Sequence, residues 1–125
     1  MKKVFFRDID TIQPSQLYIS SSRLEGVKSF FDPQDPESYD PVPILRLKND
    51  IIFTDGHTRA YHGWSKGLEK IKVQWDEDDL DLEAYRKCVK WCKEEGIKTI
   101  SDLKDRIIQK KKFQKLWIER CKREL

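Results

Sequence analysis

The sequence predicts an α+β fold, in which a small mixed β-sheet with helices is followed by a C-terminal helical extension. Residues 1–80 alternate between strand and helix patterns, whereas residues 81–125 carry their apolar side chains at helical spacings. A chain of 125 residues has room for one hydrophobic core. We therefore expect a domain at residues 1–80 and an extension at residues 81–125 packed on it, because a half-covered sheet would leave an apolar face in water.

The first strand is predicted at Lys3–Ile9, a segment rich in β-forming residues. Pro14 then interrupts the pattern and indicates an extended loop. A helix capped by one of the serines at positions 20–22 should follow, because apolar residues between Leu24 and Phe31 recur at spacings of three and four.

A hairpin over residues 42–53 is the next prediction, with its turn at Asn49-Asp50. It leads into a helix over residues 57–66, and Gly67 follows as the left-handed residue that ends it. The alternation of apolar and polar residues from Ile71 to Trp75 then predicts another strand.

The last third is predicted to be helical throughout. Apolar residues from Leu82 to Cys92 form a helical stripe that ends at Gly96. A second helical pattern begins at Ser101 with Leu103 and Ile107 on its apolar stripe, is interrupted at residues 109–112 and resumes at Phe113. It predicts two short helices joined by a kink or turn.

Composition narrows the class of protein. Charged residues make up 38% of the chain and the net charge is only +3, which allows nucleic-acid binding without favouring it. No apolar run approaches the roughly 20 residues that span a bilayer, and the first eight residues meet a charge too early for a signal peptide. We expect a soluble, cytoplasmic protein that does not enter membranes, with Cys88, Cys92 and Cys121 as reduced thiols.

The segment Asp55-Gly56-His57-Thr58-Arg59 carries the clearest functional pattern. It lies where an apolar strand gives way to a helix, and the first N–H groups of a helix lack internal partners and carry the positive end of its dipole. A phosphate or carboxylate is stabilised there. Gly56 permits close approach, and Arg59 adds a bidentate donor.

Several roles stay open for the other residues of this turn. Asp55 is either a turn or cap residue, or else a Mg²⁺ ligand or general base. His57 suits a proton shuttle or a phosphate donor. Thr58 offers a hydroxyl donor or a metal-facing oxygen. His62 is predicted to be structural or on the surface. The acidic run Asp76–Asp79 is predicted to be a solvated loop with a helix cap at Asp79 or Asp81, and the alternative is a cluster of carboxylates that binds Mg²⁺.

Three segments in this order resemble the ParB/sulfiredoxin superfamily: Ile12-x-Pro14, Pro41-Val42-Pro43-Ile44 and Asp55–Ala60. That superfamily includes the N-terminal domain of chromosome-partition ParB proteins, sulfiredoxins and free-serine kinases. The resemblance covers roughly residues 3–78. It implies a small mixed sheet whose Gly-x-x-Arg turn, here Gly56 to Arg59, holds nucleotide phosphates.

Members of the superfamily differ at this turn. His57 stands where sulfiredoxins have their cysteine, which excludes their chemistry, and the additional arginines of partition ParB proteins are absent. The kinase sequence Asp-Gly-His-His-Arg is matched except at Thr58. Those kinases also carry a glutamate after the first strand, where this chain has Gln16, an amide that cannot accept a proton.

The function that follows is binding of nucleotide phosphates (ATP, ADP or CTP) by Gly56, His57, Thr58 and Arg59, with Mg²⁺ at Asp55. If the domain is an enzyme, it is a nucleotide-dependent kinase acting on a small hydroxyl-bearing substrate or a nucleotidase, with Asp55 and His57 as catalytic residues. The alternative is a non-catalytic DNA- or protein-binding accessory domain that uses the basic residues 110–112. The sequence leaves the oligomeric state open.

Overall fold

A computed structural model describes residues 3–125 and confirms the mixed α+β fold. The strands are β1 (Val4–Asp8), β2 (Ile19–Ser20), β3 (Val42–Leu47), β4 (Asp50–Phe53), β5 (Lys70–Trp75) and β6 (Ile107–Ile108). The helices are α1 (Ser21–Lys28), α2 (His57–Ser65), α3 (Leu82–Glu94), α4 (Lys110–Phe113) and α5 (Glu119–Glu124). A π-helical segment, Gln114–Ile118, joins α4 to α5.

Four strands form one sheet in the order β1-β5-β3-β4. Strand β5 is antiparallel to β1 and parallel to β3, and β3 forms an antiparallel hairpin with β4. The hairpin turn includes Lys48 at φ 53°, one residue before the predicted turn. Beyond β4, Gln13 adds a parallel bridge to Ile52, which brings the segment after β1 alongside the strand that leads to the predicted site.

The main core lies between the inner face of this sheet and the helices. Ile71 and Val73 of β5 are fully buried there, together with Val42 and Ile44 of β3. Helix α3 packs against the β3–β4 hairpin through Val89, which lies in a smaller apolar cluster with Leu47 and Ile52. Both predicted segments therefore contribute to the buried interior.

The prediction of an all-helical last third is wrong. Residues Ile100–Leu103 form only a short 3₁₀ turn, and its cap is Thr99 in a reciprocal pair with Asp102. Ile107, predicted on a helical stripe, lies in β6 and pairs in parallel with Ile19 of β2. Residues 110–112 form neither the kink nor the turn that the sequence predicts, since they begin the C-terminal helix. Pairing with a distant strand outweighed the local helical spacing.

Other predicted features are confirmed. Gly67 and Gly96 have positive φ angles where α2 and α3 end. Cys88 and Cys92 are buried free thiols, and burial raises the pKa of each to about 12. None of the helices among residues 3–125 has the length and apolar character needed to cross a bilayer.

Candidate functional site

The predicted turn lies at the N-terminus of α2, and no side chain among residues 3–125 caps this helix. The first intrahelical bond runs from the Ala60 N–H to the Gly56 carbonyl, at 3.0 Å. The amides of His57, Thr58 and Arg59 precede that bond, so they have no acceptor within the helix. The positive end of the α2 dipole is therefore open to a ligand.

Gly56 is required at this position for two reasons. Its φ of +75° lies in the left-handed region, which L side chains rarely adopt. A Cβ there would also lie 2.9 Å from both Arg59 Nη2 and Val42 Cγ1. Absence of a side chain at position 56 thus lets the Arg59 guanidinium lie across the turn.

A cavity of about 240 Å³ opens at this helix start. Its walls combine the turn with residues from two other parts of the chain: Gln16 from the loop before β2, and Arg23 and Val27 from α1. The lining residues are Gln16, Arg23, Val27, Asp55, Gly56, His57, Thr58 and Arg59. The structure therefore brings together every residue of the predicted site in one concave surface.

Arg59 is held in place by the loop that precedes β3. Its Nη1 donates to the Asp40 carbonyl at 2.8 Å and to the Pro41 carbonyl at 3.3 Å. These bonds occupy one end of the guanidinium, while a guanidinium has five N–H donors in total. Arg59 can therefore stay anchored to the loop and still offer donors to an anion in the cavity.

His57 is only 3% exposed and its ring is fixed by the segment that bridges to β4. The Ser15 backbone N–H donates to His57 Nε2 at 2.9 Å, and the Ser15 hydroxyl donates to the Phe53 carbonyl at 2.6 Å. Because Nε2 accepts a hydrogen bond, the proton of the neutral imidazole resides on Nδ1. That tautomer makes Nδ1 a donor.

Nδ1 of His57 is buried and has no hydrogen-bond partner within residues 3–125. Burial lowers the pKa of His57 to about 4, an effect that the nearby Asp55 carboxylate only partly opposes. The imidazole is therefore neutral at pH 7. A buried donor without a partner is costly, and here it belongs to a residue that lines the cavity.

Asp55 is exposed, and its Oδ1 accepts the Gly56 N–H at 2.8 Å. It does not bond to the later amides of α2, so it serves the turn and not the helix cap. It is the one carboxylate among the cavity's lining residues. No group of three or more His, Cys, Asp or Glu side chains within residues 3–125 is arranged to hold a metal ion. A cation at Asp55 would therefore need further ligands from phosphate oxygens or water.

The acidic run beyond β5 has structural roles. Thr54 Oγ1 donates to Asp76 Oδ2 at 2.6 Å, which ties the end of β4 to the end of β5. The Tyr85 hydroxyl donates to the Thr54 carbonyl at 3.0 Å and so links α3 to the same point. Asp81 caps α3, one of the two positions predicted for that cap.

His62 is buried within α2, where its Nε2 lies 3.1 Å from the Phe31 carbonyl. Its ring packs edge-on against Phe31. It lies outside the lining of the cavity, which confirms the structural role predicted for it.

Sequence reasoning missed two contributors to the site. Ser15 orients His57 through a backbone amide, a contact that no side-chain motif encodes. Arg23 adds a second guanidinium from α1 and lies 5.0 Å from the centre of the Phe113 ring. Gln16, which stands in place of a glutamate, lines the cavity as well, and its amide donates to the Tyr18 carbonyl at 2.8 Å.

The basic residues of the alternative function lie on the C-terminal helix. Lys110, Lys111 and Lys112 are exposed in its first turn. Further along, Arg120 and Arg123 are engaged with Glu124. These contacts reduce the positive charge of the helix's later turns, and DNA binding by this surface stays a prediction.

Comparison with known proteins supports the fold. No family model matches this chain, and neither does any curated protein. The crystal structure of protein Atu1540 from Agrobacterium tumefaciens is similar, with a TM-score of 0.54 and 14% sequence identity, and the match covers 82% of this chain and 62% of that one. At this identity the likeness concerns the mixed α+β architecture alone, and the ParB/sulfiredoxin resemblance stays a prediction.

Proposed function

We propose that this protein binds the phosphate groups of a nucleotide in the cavity at the start of α2. The observation that carries the proposal is the unpartnered His57 Nδ1, which within residues 3–125 is a buried donor in a residue that lines a cavity at an uncapped helix start. A phosphate oxygen would accept from helix amides and from such a donor. A neutral ligand could accept from these amides but would lack the charge–dipole stabilisation that an anion gains at the start of α2.

Charge in the cavity walls supports an anionic ligand. Arg23 and Arg59 contribute two guanidinium groups, while Asp55 is the sole acidic residue in the lining. The excess of positive charge suits two or more phosphate oxygens, because guanidinium groups bind phosphates in a bidentate manner. ATP, ADP and CTP are the candidate ligands, on the basis of the turn's resemblance to nucleotide-binding relatives.

Binding is a stronger proposal than catalysis. His57 is neutral at pH 7 and its Nε2 already accepts the Ser15 amide, so its Nδ1–H is the one group of the ring left to donate and the imidazole is not available as a base. Gln16 cannot serve as a base. Any phosphoryl transfer or nucleotide hydrolysis would therefore rest on Asp55, as the base or as a ligand to Mg²⁺ delivered with the nucleotide.

Thermal unfolding in the presence of ATP, ADP or CTP, with and without Mg²⁺, tests the proposal. We expect at least one nucleotide to raise the Tm and the matching nucleoside to leave it unchanged, because the phosphates provide the binding energy. Arg23→Gln should weaken the affinity by about tenfold, as expected for loss of one charge-assisted contact.

Lys28→Gln is the matched control. Lys28 is an exposed cation on α1, the helix that carries Arg23, but it does not line the cavity. It should leave nucleotide affinity unchanged. Equal Tm values with and without every nucleotide, or equal losses for the two variants, would contradict the proposal.

A further inference from the structure

Phe30, directly after α1, is an aromatic residue that the core does not bury, and its side chain is 52% exposed. Within residues 3–125 its ring pairs with no other aromatic ring and is not packed on the hydrophobic core. The next residue, Phe31, is 3% exposed and stacks on Tyr39 at a centroid distance of 4.1 Å. Packing within the described part of the chain therefore explains Phe31 but not Phe30.

Helical geometry places Phe30 on the side of α1 that faces the cavity. Arg23 and Val27 are the two residues of α1 in the cavity lining. Phe30 follows Arg23 by seven residues, so the two side chains point within about 20° of each other around the helix axis. The Phe31 N–H donates to the Val27 carbonyl at 2.9 Å, which continues the α-helical turn past Phe30. Arg23, Val27 and Phe30 thus form one stripe that leads out of the cavity.

The cavity itself is large enough for phosphate groups but not for a whole nucleotide. Its volume of about 240 Å³ is below the roughly 300–1,000 Å³ of pockets that enclose a small molecule. Among the lining residues, the buried His57 is the one aromatic side chain and Val27 the one aliphatic side chain. A nucleobase gains most from stacking on an aromatic ring. If phosphates occupy the cavity, the base of the nucleotide therefore lies outside it.

Charge along α1 sets the direction of such a ligand. Arg23 lies at one end of the stripe and attracts phosphate. Beyond Phe30, at the other end, the chain carries three exposed carboxylates: Asp32, Asp35 and Glu37. These carboxylates repel a phosphate chain, whereas a base is uncharged and suffers no such repulsion. The phosphates are therefore stabilised toward Arg23, and the base is left toward Phe30.

We propose that the base of the bound nucleotide stacks on Phe30, and that this contact selects purine nucleotides. The inference rests on the proposed phosphate binding at the start of α2. Val27 and Phe30 are separated by about 4.5 Å along the helix axis, a step that the sugar between phosphate and base can span. Because a purine covers more of the ring than a pyrimidine does, stacking favours ATP and ADP over CTP.

Isothermal titration calorimetry of the full chain with ADP, CDP and pyrophosphate tests this proposal. The wild-type chain should bind ADP several-fold more tightly than CDP. In Phe30→Ala the affinity for ADP should fall by about tenfold, within the range measured when a stacked base loses its aromatic partner. The affinity for pyrophosphate should be unchanged, because pyrophosphate has no base, and the preference for ADP over CDP should disappear.

Phe30→Trp should keep the wild-type affinity for ADP, since it retains a ring on which a base can stack. Phe6→Ala is the matched control: Phe6 is also 52% exposed but lies on β1, outside the cavity lining, and its substitution should change none of the three affinities. Equal ADP affinity in the wild type and Phe30→Ala, or equal losses for ADP and pyrophosphate, would overturn the stacking contact and leave the phosphate site standing. Absence of binding by both ADP and pyrophosphate would contradict the proposed function, and this inference with it.

Discussion

Helices α2 and α3 begin with opposite local chemistry. Helix α3 follows Asp81, whose carboxylate accepts the Ala84 N–H at 3.1 Å, and Glu83 lies in its first turn. Helix α2 follows Gly56, lacks a side-chain cap from residues 3–125 and carries a histidine and an arginine instead of acidic residues. The protein caps the start of α3 with its own carboxylates, whereas the start of α2 has no such cap within residues 3–125. The missing cap alone does not single out α2, since α1 also lacks a side-chain cap bond; what distinguishes α2 is that its start opens onto a cavity.

The largest expected effect comes from breaking the open start of α2. In Gly56→Ala, the new Cβ would meet Val42 and Arg59 and would also require a left-handed residue with a side chain. We expect a loss of about 3 to 4 kcal/mol of unfolding free energy, from left-handed strain and overpacking together.

Gly67→Ala is the control for this variant, because Gly67 has a φ of +87° and a methyl group added there would meet no atom within 4 Å beyond its chain neighbours. It should cost only the backbone strain, about 1 to 2 kcal/mol. Urea unfolding of both variants measures the difference, and equal losses would show that close packing at Gly56 is unimportant.

The next largest effect is the pH dependence of the unfolding free energy, which reports on His57 at the start of α2. The pKa of His57 is about 4 in the folded protein, below the ordinary value near 6.5. The unfolded chain therefore takes up a proton first as pH falls, and the folded state loses about 3 kcal/mol between pH 6.5 and pH 4. Above pH 6.5 the imidazole is neutral in both the folded and the unfolded chain, so none of this stability is lost there.

His57→Gln removes the titrating group while keeping an acceptor for the Ser15 amide. Urea unfolding from pH 7.5 to pH 4 should thus show a shallower loss of stability than in the wild-type chain. A slope identical to that of the wild type would contradict the assignment of a buried neutral imidazole.

The smallest effect concerns the capped helix. Asp81→Ala should reduce the unfolding free energy by about 1 kcal/mol, the usual cost of a lost N-cap. Because α3 lies outside the cavity lining, nucleotide-induced shifts in Tm should be unchanged. A thermal-shift titration of this variant checks both, and a weakened nucleotide response would undermine the separation of the two helix starts.

The sequence was sufficient where local patterns decide the structure. The hairpin, α2 with Gly67, and the strand ending at Trp75 all follow from short-range spacing and turn chemistry. The candidate site residues from Gly56 to Arg59 could be proposed from the sequence because they are adjacent in it.

What the sequence did not reveal depends on contacts between distant segments. Strands β2 and β6 contain two residues each, so their pairing has no periodicity to detect. Arg23 reaches the cavity only because α1 lies beside α2, and Ser15 acts through its backbone. Burial of His57, which fixes its tautomer, is likewise a property of the packed structure.

Gln13 has a consequence for how the molecule opens. Its buried side-chain amide donates to the carbonyls of Pro14 and of Ile97, the latter at 2.8 Å and beyond α3. Its backbone meanwhile bonds to Ile51 and Phe53 on either side of its bridge to β4. Detaching the segment that contains Ile97 would leave a buried amide donor without its partner, which is costly. We therefore expect this segment and the bridge to β4 to open together.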